Sequence, residues 1–182
     1  MSSIDWLGLH REYLMAGEME IIAGMLCNIE ARGMIEIGCR DGRTARVLLH
    51  NVPSLDWYIG IDVPMSYAPT LPLQRGETVS RPGALAMDDP RFEVIISERG
   101  SLDLGPPDLP FCDAIFIDGD HSEQAVVHDS ELARMIMRPN GLIIWHDAGN
   151  PSVEVTGVLN RLRKRGWPIE TVPNTWLAFC RH

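Results

Sequence analysis

Apolar residues recur every three to four positions from about Trp6 to Ala31, and this spacing predicts one or two opening helices. Gly33 punctuates the pattern, and Met34-Ile35-Glu36-Ile37-Gly38 then reads as a short buried strand. A helix is predicted over Arg43 to Leu49, with Thr44 as a candidate cap near its start. Trp57 to Asp62 predicts a second strand, Phe92 to Ile96 a third and Asp113 to Asp118 a fourth. A helix is expected from a Ser122 cap to about Met137, stopped by Pro139-Asn140-Gly141, with Leu142 to His146 as the fifth strand. Val153 to Arg165 predicts a helix whose basic end suits its dipole. Two last strands, near Ile169 to Val172 and Trp176 to Cys180, meet at Pro173-Asn174 as an antiparallel hairpin.

Strands alternating with helices predict an α/β fold: a doubly wound, seven-stranded, mostly parallel sheet with helices on both faces and a C-terminal antiparallel hairpin. Val63 to Pro90 breaks the rhythm with Pro64, Pro69, Pro72, Pro82 and Pro90. Proline removes donors and fixes φ, so this stretch is expected as an irregular, mobile flap with at most one short helix.

The length of 182 residues suits about one domain. It is expected over 1–182, with a helical segment at 1–32 and the flap inserted at 63–90. Twenty-five acidic against 16 basic residues give a net charge of −9. Such a chain repels phosphate backbones and anionic membranes, so neither nucleic acid nor membrane is expected as a partner. No apolar run is long enough to span a bilayer. Met1 to Tyr13 carries Asp5 and His10 without a preceding basic segment and does not read as a secretory signal. Cys27, Cys39, Cys112 and Cys180 form no CxxC pair; reduced thiols and a cytoplasmic location are expected.

Ligands of doubly wound sheets bind beyond the carboxyl ends of the strands. Here those ends carry Glu36 to Gly42, then Asp62, then Ser97 to Ser101, then Asp118-Gly119-Asp120-His121, then His146-Asp147-Ala148-Gly149-Asn150. Gly38 and Gly42 let backbone approach a ligand, and a carboxylate at Asp62 suits two ribose hydroxyls. A phosphate-loop signature is absent, and Arg40 interrupts the three-glycine dinucleotide pattern.

The ordered set EIGCRDG, an acid ending the second strand, AIFIDGDH and GLIIWHD resembles the class I S-adenosylmethionine-dependent methyltransferases, with their Rossmann-like fold, over roughly Gly33 to Cys180. The resemblance implies that Glu36 and the loop Gly38, Arg40, Gly42 cradle the methionine part of the cofactor. It implies that Asp62 holds the ribose and that Arg99, Gly100 and Ser101 lie near the adenine. Arg40 departs from the family, where many relatives have glycine.

The DGDH and HD motifs are similar to metal-dependent sugar O-methyltransferases and the cephalosporin-hydroxylase-like group. That resemblance implies Asp118, His146 and Asp147 as ligands of Mg²⁺ or Mn²⁺, Asp118 beside the cofactor, and His121 as the base. His146 stands where relatives carry an acid, and imidazole among carboxylates suits Mn²⁺, Fe²⁺ or Zn²⁺ better than Mg²⁺. The expected function is methylation of a small-molecule hydroxyl, with metal assistance and homodimer formation left open. Two alternatives stand beside it: a non-catalytic S-adenosylmethionine-binding module, and a metal-dependent hydrolase or oxygenase-like protein. His128 and Asp129 are expected on a solvated helix face, Trp145 in the core, and Arg161 to Arg165 as a plain helix end.

Overall fold

The computed structural model describes residues 3–12 and 14–182. Its sheet has seven strands: β1 (Gly33–Ile37), β2 (Trp57–Asp62), β3 (Phe92–Ile96), β4 (Cys112–Ile117), β5 (Met137–Trp145), β6 (Glu170–Thr171) and β7 (Ala178–Arg181). They lie in the order β3-β2-β1-β4-β5-β7-β6. β1 to β5 pair in parallel, and β7 runs antiparallel to both β5 and β6. The doubly wound architecture read from the sequence is the architecture observed.

Strand alternation divides the core between two faces. Ile35, Ile37, Ile115, Ile117, Ile143 and Trp145 pack on one face against α3 (Glu123–Ile136) and α4 (Val155–Lys164). Met34, Tyr58, Ala114, Phe116, Leu142 and Ile144 face α1 (Glu18–Asn28) and α2 (Arg43–Asn51). Burial on both faces explains why the strands read as nearly unbroken apolar runs. Trp145 is fully buried as expected, and its indole N–H donates to Ser130 Oγ at 3.0 Å.

Several boundaries differ from the sequence reading. The opening helix spans Glu18–Asn28 alone; Leu7, Gly8 and Gly17 take left-handed φ values of 54°, 77° and 88°, which stops a helix from forming earlier. Residues 1, 2 and 13 of that predicted segment lie outside the described residues. The chain before α1 instead crosses α2, where Asp5 and Asn51 exchange two hydrogen bonds of 2.9 and 2.8 Å. Thr44 does not cap α2; Gly42 takes the N-cap position. Ser122 stands at the N-cap of α3, but its side chain makes no capping bond. β5 already pairs at Met137, and Arg138 to Gly141 bulge out before pairing resumes at Leu142. Asp129 is fully buried rather than solvated, because it shares the inner face of α3 with Val126, Ala133 and Ile136.

The 63–90 segment is irregular as expected, with one 3-10 turn at Pro72–Gln74. It is pinned to the strand ends by Gly83 N–H to Arg40 O at 2.7 Å and Leu85 N–H to Asp41 O at 2.8 Å. All four cysteines are free thiols. Among the described residues, no helix is long and apolar enough to cross a membrane.

Candidate active site

Strand order reverses at β1, which has β2 on one side and β4 on the other. There the backbone pairing continues past the strands: Gly38 N–H donates to Ile61 O at 2.8 Å, Asp118 N–H to Ile37 O at 2.8 Å, and His146 N–H to Ile117 O at 3.0 Å. The polar residues that end the strands therefore stand in register along one edge. They border a cavity of about 500 Å³.

Of the residues expected at a cofactor, Gly38, Arg40, Asp62, Arg99, Gly100, Ser101 and Asp118 line this cavity, and so do His121, His146 and Asp147. Glu36 and Gly42 do not appear in its wall. Glu36 falls on the α2 side of β1 by alternation, fully buried, and accepts from the Tyr58 hydroxyl at 2.9 Å. Gly42 serves the flap: with φ at 84°, a Cβ there would stand 2.8 Å from Gly83 O.

Burial, helped by the charges of Asp118 and Asp62, outweighs the hydrogen bonds from Tyr58 and Thr44 and pushes the Glu36 carboxyl from 4.5 to about 8. The folded state therefore holds this proton more tightly than the unfolded state. The resulting stability is full below about pH 4.5 and is lost as pH rises to about 8. Glu36→Gln keeps an acceptor for Tyr58 and removes the ionisation. Its melting temperature is expected to change less across that window than the wild type's; parallel curves in a pH series of calorimetric scans would refute this.

Asp62 accepts from Val63 N–H at 2.7 Å and from Arg40 N–H. Burial raises its pKa against these two bonds, a third from the Cys39 thiol and the charge of Arg40. A carboxylate has about four lone-pair sites, so one remains for a ligand hydroxyl. Arg40 takes a left-handed φ of 47°, the conformation that favours glycine at this position. Its guanidinium reaches Glu12 at 3.4 Å and Asp41 at 3.6 Å.

Two imidazoles and three carboxylates meet at the ends of β4 and β5. His121 Nε2 lies 3.4 Å from Asp118 Oδ1 and 3.2 Å from Asp147 Oδ2. Among the described residues, Nδ1 of His121 has no protein partner, which leaves it to act as a proton acceptor. Burial lowers the His121 pKa, but the bond and charge of Asp118 and the charge of Asp147 outweigh this and raise it above 6.5. His146 is buried, with Nδ1 3.1 Å from Asp118 Oδ1 and 3.5 Å from Asp147 Oδ2. Its Nε2 lies 3.0 Å from Glu18 Oε2. Burial opposes its charge, yet Asp118, Asp147 and Glu18 raise its pKa to about 12. Burial raises Asp118 in turn, but the His146 charge and the bonds to both imidazoles hold it well below the usual carboxylate range.

The trio expected to hold a metal was Asp118, His146 and Asp147. The group whose ligand atoms converge, within 4.8 Å of one another, is instead Asp118, His121 and Asp147. His146 has both nitrogens turned to carboxylates. Asp118, His121 and Asp147 together offer two carboxylate oxygens and one imidazole nitrogen, a donor set that suits Mn²⁺, Fe²⁺ or Zn²⁺ better than Mg²⁺.

The sequence reading missed Glu18, Tyr67 and Gln74. The Gln74 side chain donates to Gly119 O at 2.9 Å and accepts from His121 N–H at 3.0 Å. The Tyr67 hydroxyl donates to Asp120 Oδ2 at 2.7 Å. Both come from the flap, whose proline-rich sequence hides which side chains turn inward. Glu18 comes from α1, where a charge on an apolar face gave no signal of a partner more than a hundred residues away.

A methyltransferase domain profile matches residues 35–148. No curated protein sequence matches the chain. Solved structures share the fold. An O-methyltransferase of Bacillus cereus in complex with SAH has 16% identity and a TM-score of 0.61, with 97% of this chain and 86% of that chain covered. The SAH-bound methyltransferase PaMTH1 of Podospora anserina has 13% identity and a TM-score of 0.64, covering 90% and 77%. A precorrin-6y C5,15-methyltransferase of Geobacter metallireducens has 12% identity and a TM-score of 0.60, covering 96% and 92%.

Proposed function

The chain belongs to the methyltransferase domain family, and from that premise we propose that it uses S-adenosylmethionine to methylate the hydroxyl oxygen of a small molecule. The observation that carries this reading is the placement of His121, backed by Asp118 and Asp147, in the same cavity as Gly38, Asp62 and Ser101. The cofactor supplies an electrophilic methyl group on a sulfonium. Gly38 brings bare backbone to the methionine end, Asp62 offers its remaining lone pair to the ribose, and Gly100 and Ser101 flank the adenine.

His121 does the proton work. Its Nε2–H donates toward Asp118 and Asp147, which fixes the tautomer and leaves the Nδ1 lone pair for the acceptor hydroxyl. A hydroxyl is a weak nucleophile until its proton is drawn away, so a positioned imidazole is the part this chemistry needs. No step runs through a metal.

The reading is tested by calorimetry with SAH, followed by mass spectrometry of a panel of alcohols and phenols incubated with S-adenosylmethionine. Binding and the gain of one methyl group on oxygen are expected. Absence of SAH binding would remove the reading; binding without turnover across the panel would favour a non-catalytic module. Asp62→Ala is expected to weaken SAH binding by about 1.5–3 kcal/mol, the range for hydrogen bonds to a charged group. Unchanged affinity would take the ribose role from Asp62.

A further inference from the structure

The turn between β4 and α3 carries Gly119, Asp120 and His121, and each of these three residues takes a hydrogen bond from the proline-rich flap. Gln74 serves two of them with one side chain. Its Nε2 donates to Gly119 O at 2.9 Å, and its Oε1 accepts from His121 N–H at 3.0 Å. Tyr67 serves the residue between, donating its hydroxyl to Asp120 Oδ2 at 2.7 Å. Asp120 in turn accepts from Ser122 N–H on Oδ1 at 2.8 Å.

The turn has little of its own to hold it. Parallel pairing ends with Asp118 N–H on Ile37 O, and the ladder of α3 begins only with Val126 N–H on Ser122 O. Between them, Gly119 O and His121 N–H have no other hydrogen-bond partner among the described residues. A backbone group shielded from water and left unpaired is costly. A primary amide has a donor end and an acceptor end, and they match this pair in one orientation only. Gln74 thus bonds the turn at two points, as a neighbouring strand would, and this fixes direction as well as distance. Gln74 is itself buried, and its backbone is anchored by Gln74 N–H on Leu71 O at 3.1 Å.

We propose that Gln74 is a positioning residue whose amide sets the turn that carries His121, so that the flap, and not the sheet alone, puts the proton acceptor in place. Farther along the flap, Gly83 and Leu85 bond Arg40 O and Asp41 O in the loop after β1. One segment therefore ties the cofactor loop to the turn that holds the base, and both lose bonds when it lifts.

The proposal deepens the methyltransferase reading and rests on it for the role of His121. Amide hydrogen exchange, followed by NMR on the ¹⁵N-labelled protein without ligand, tests the clasp without turnover. In the wild type the His121 amide is expected to exchange slowly although it lies outside helix and strand. Gln74→Met keeps the length of the side chain and removes both bonds. It is expected to speed exchange at His121 by about tenfold, the factor for one hydrogen bond of ordinary strength. Ile115 and Phe116 in β4 should keep their wild-type rates. In methyl transfer by Gln74→Met, kcat is expected to fall by about 10–10²-fold, the scale for a reacting group misplaced by up to about an ångström. KM for the acceptor and affinity for SAH should stay at the wild-type level.

Fast exchange at His121 in the wild type would overturn the proposal, and that measurement needs no variant to fold. Unchanged exchange at His121 in Gln74→Met would do the same. So would a rise shared equally by Ile115 and Phe116, which would mark a general loosening of the sheet. A wild-type kcat with only KM raised would make Gln74 a plain wall of the acceptor pocket and would also overturn it. Calorimetry with SAH on the same wild-type sample separates this proposal from the reading beneath it. Absence of SAH binding counts against the methyltransferase reading, whereas exchange at the His121 amide decides the clasp.

Discussion

Replacing His121 with alanine is expected to lower methyl transfer by about 10²–10⁴-fold, the contribution of a positioned general base. Binding of SAH should survive, because Gly38, Asp62, Gly100 and Ser101, the groups proposed to hold it, come from the ends of other strands than β4. The argument rests on tautomer. Asp118 and Asp147 both face Nε2, so Nδ1 carries the working lone pair. The same carboxylates raise the His121 pKa above 6.5. Only the neutral ring accepts a proton, so kcat/KM should rise with pH and level off above a midpoint higher than 6.5. Asp147→Asn removes one of the two charges and should lower that midpoint. A His121→Ala enzyme with wild-type turnover at saturating acceptor would remove His121 from the chemistry, and a flat pH profile would do the same.

The frame of this site was legible in the sequence because two simple periodicities carried it. Alternation along β1, β4 and β5 placed polar residues at each strand's end, and parallel pairing then brought Gly38, Asp118 and His146 to one edge. Glu18 was illegible for the opposite reason. It sits on a helix face that is otherwise apolar, and its reason for being there, His146, lies 128 positions away. Asp129 carried a usable signal that the reading passed over. Ala125, Val126, Leu132, Ala133 and Ile136 mark one helical face, and Asp129 falls on it at the same spacing. The flap gave the least, because prolines and short polar stretches impose no period that assigns Tyr67 or Gln74 a direction.

Gly38→Ala, in the loop after β1, is expected to cost about 2–5 kcal/mol of stability. Gly38 has φ at 89°, and a Cβ there would lie 2.3 Å from Asp118 O and 2.6 Å from Gly119 Cα. Those are backbone atoms, so no side chain can rotate aside. The ends of β1 and β4 would have to part at the place where the cavity is built. Left-handed strain contributes about 1–2 kcal/mol, and forced overpacking about 1–3 kcal/mol more. At this chain length each kcal/mol lowers the melting temperature by roughly 2–4 °C. Gly76→Ala is the control, since Gly76 has the same φ of 89° with nothing within 4 Å of its added Cβ. The strain is common to both variants, so the difference between their melting temperatures reads the clash alone. Gly38→Ala should melt lower than Gly76→Ala and should also lose SAH affinity, because the displaced atoms belong to Asp118 and the loop beside it. Equal melting temperatures would show that the two strand ends yield without cost, and the close approach of β1 to β4 would then be no part of what shapes the site.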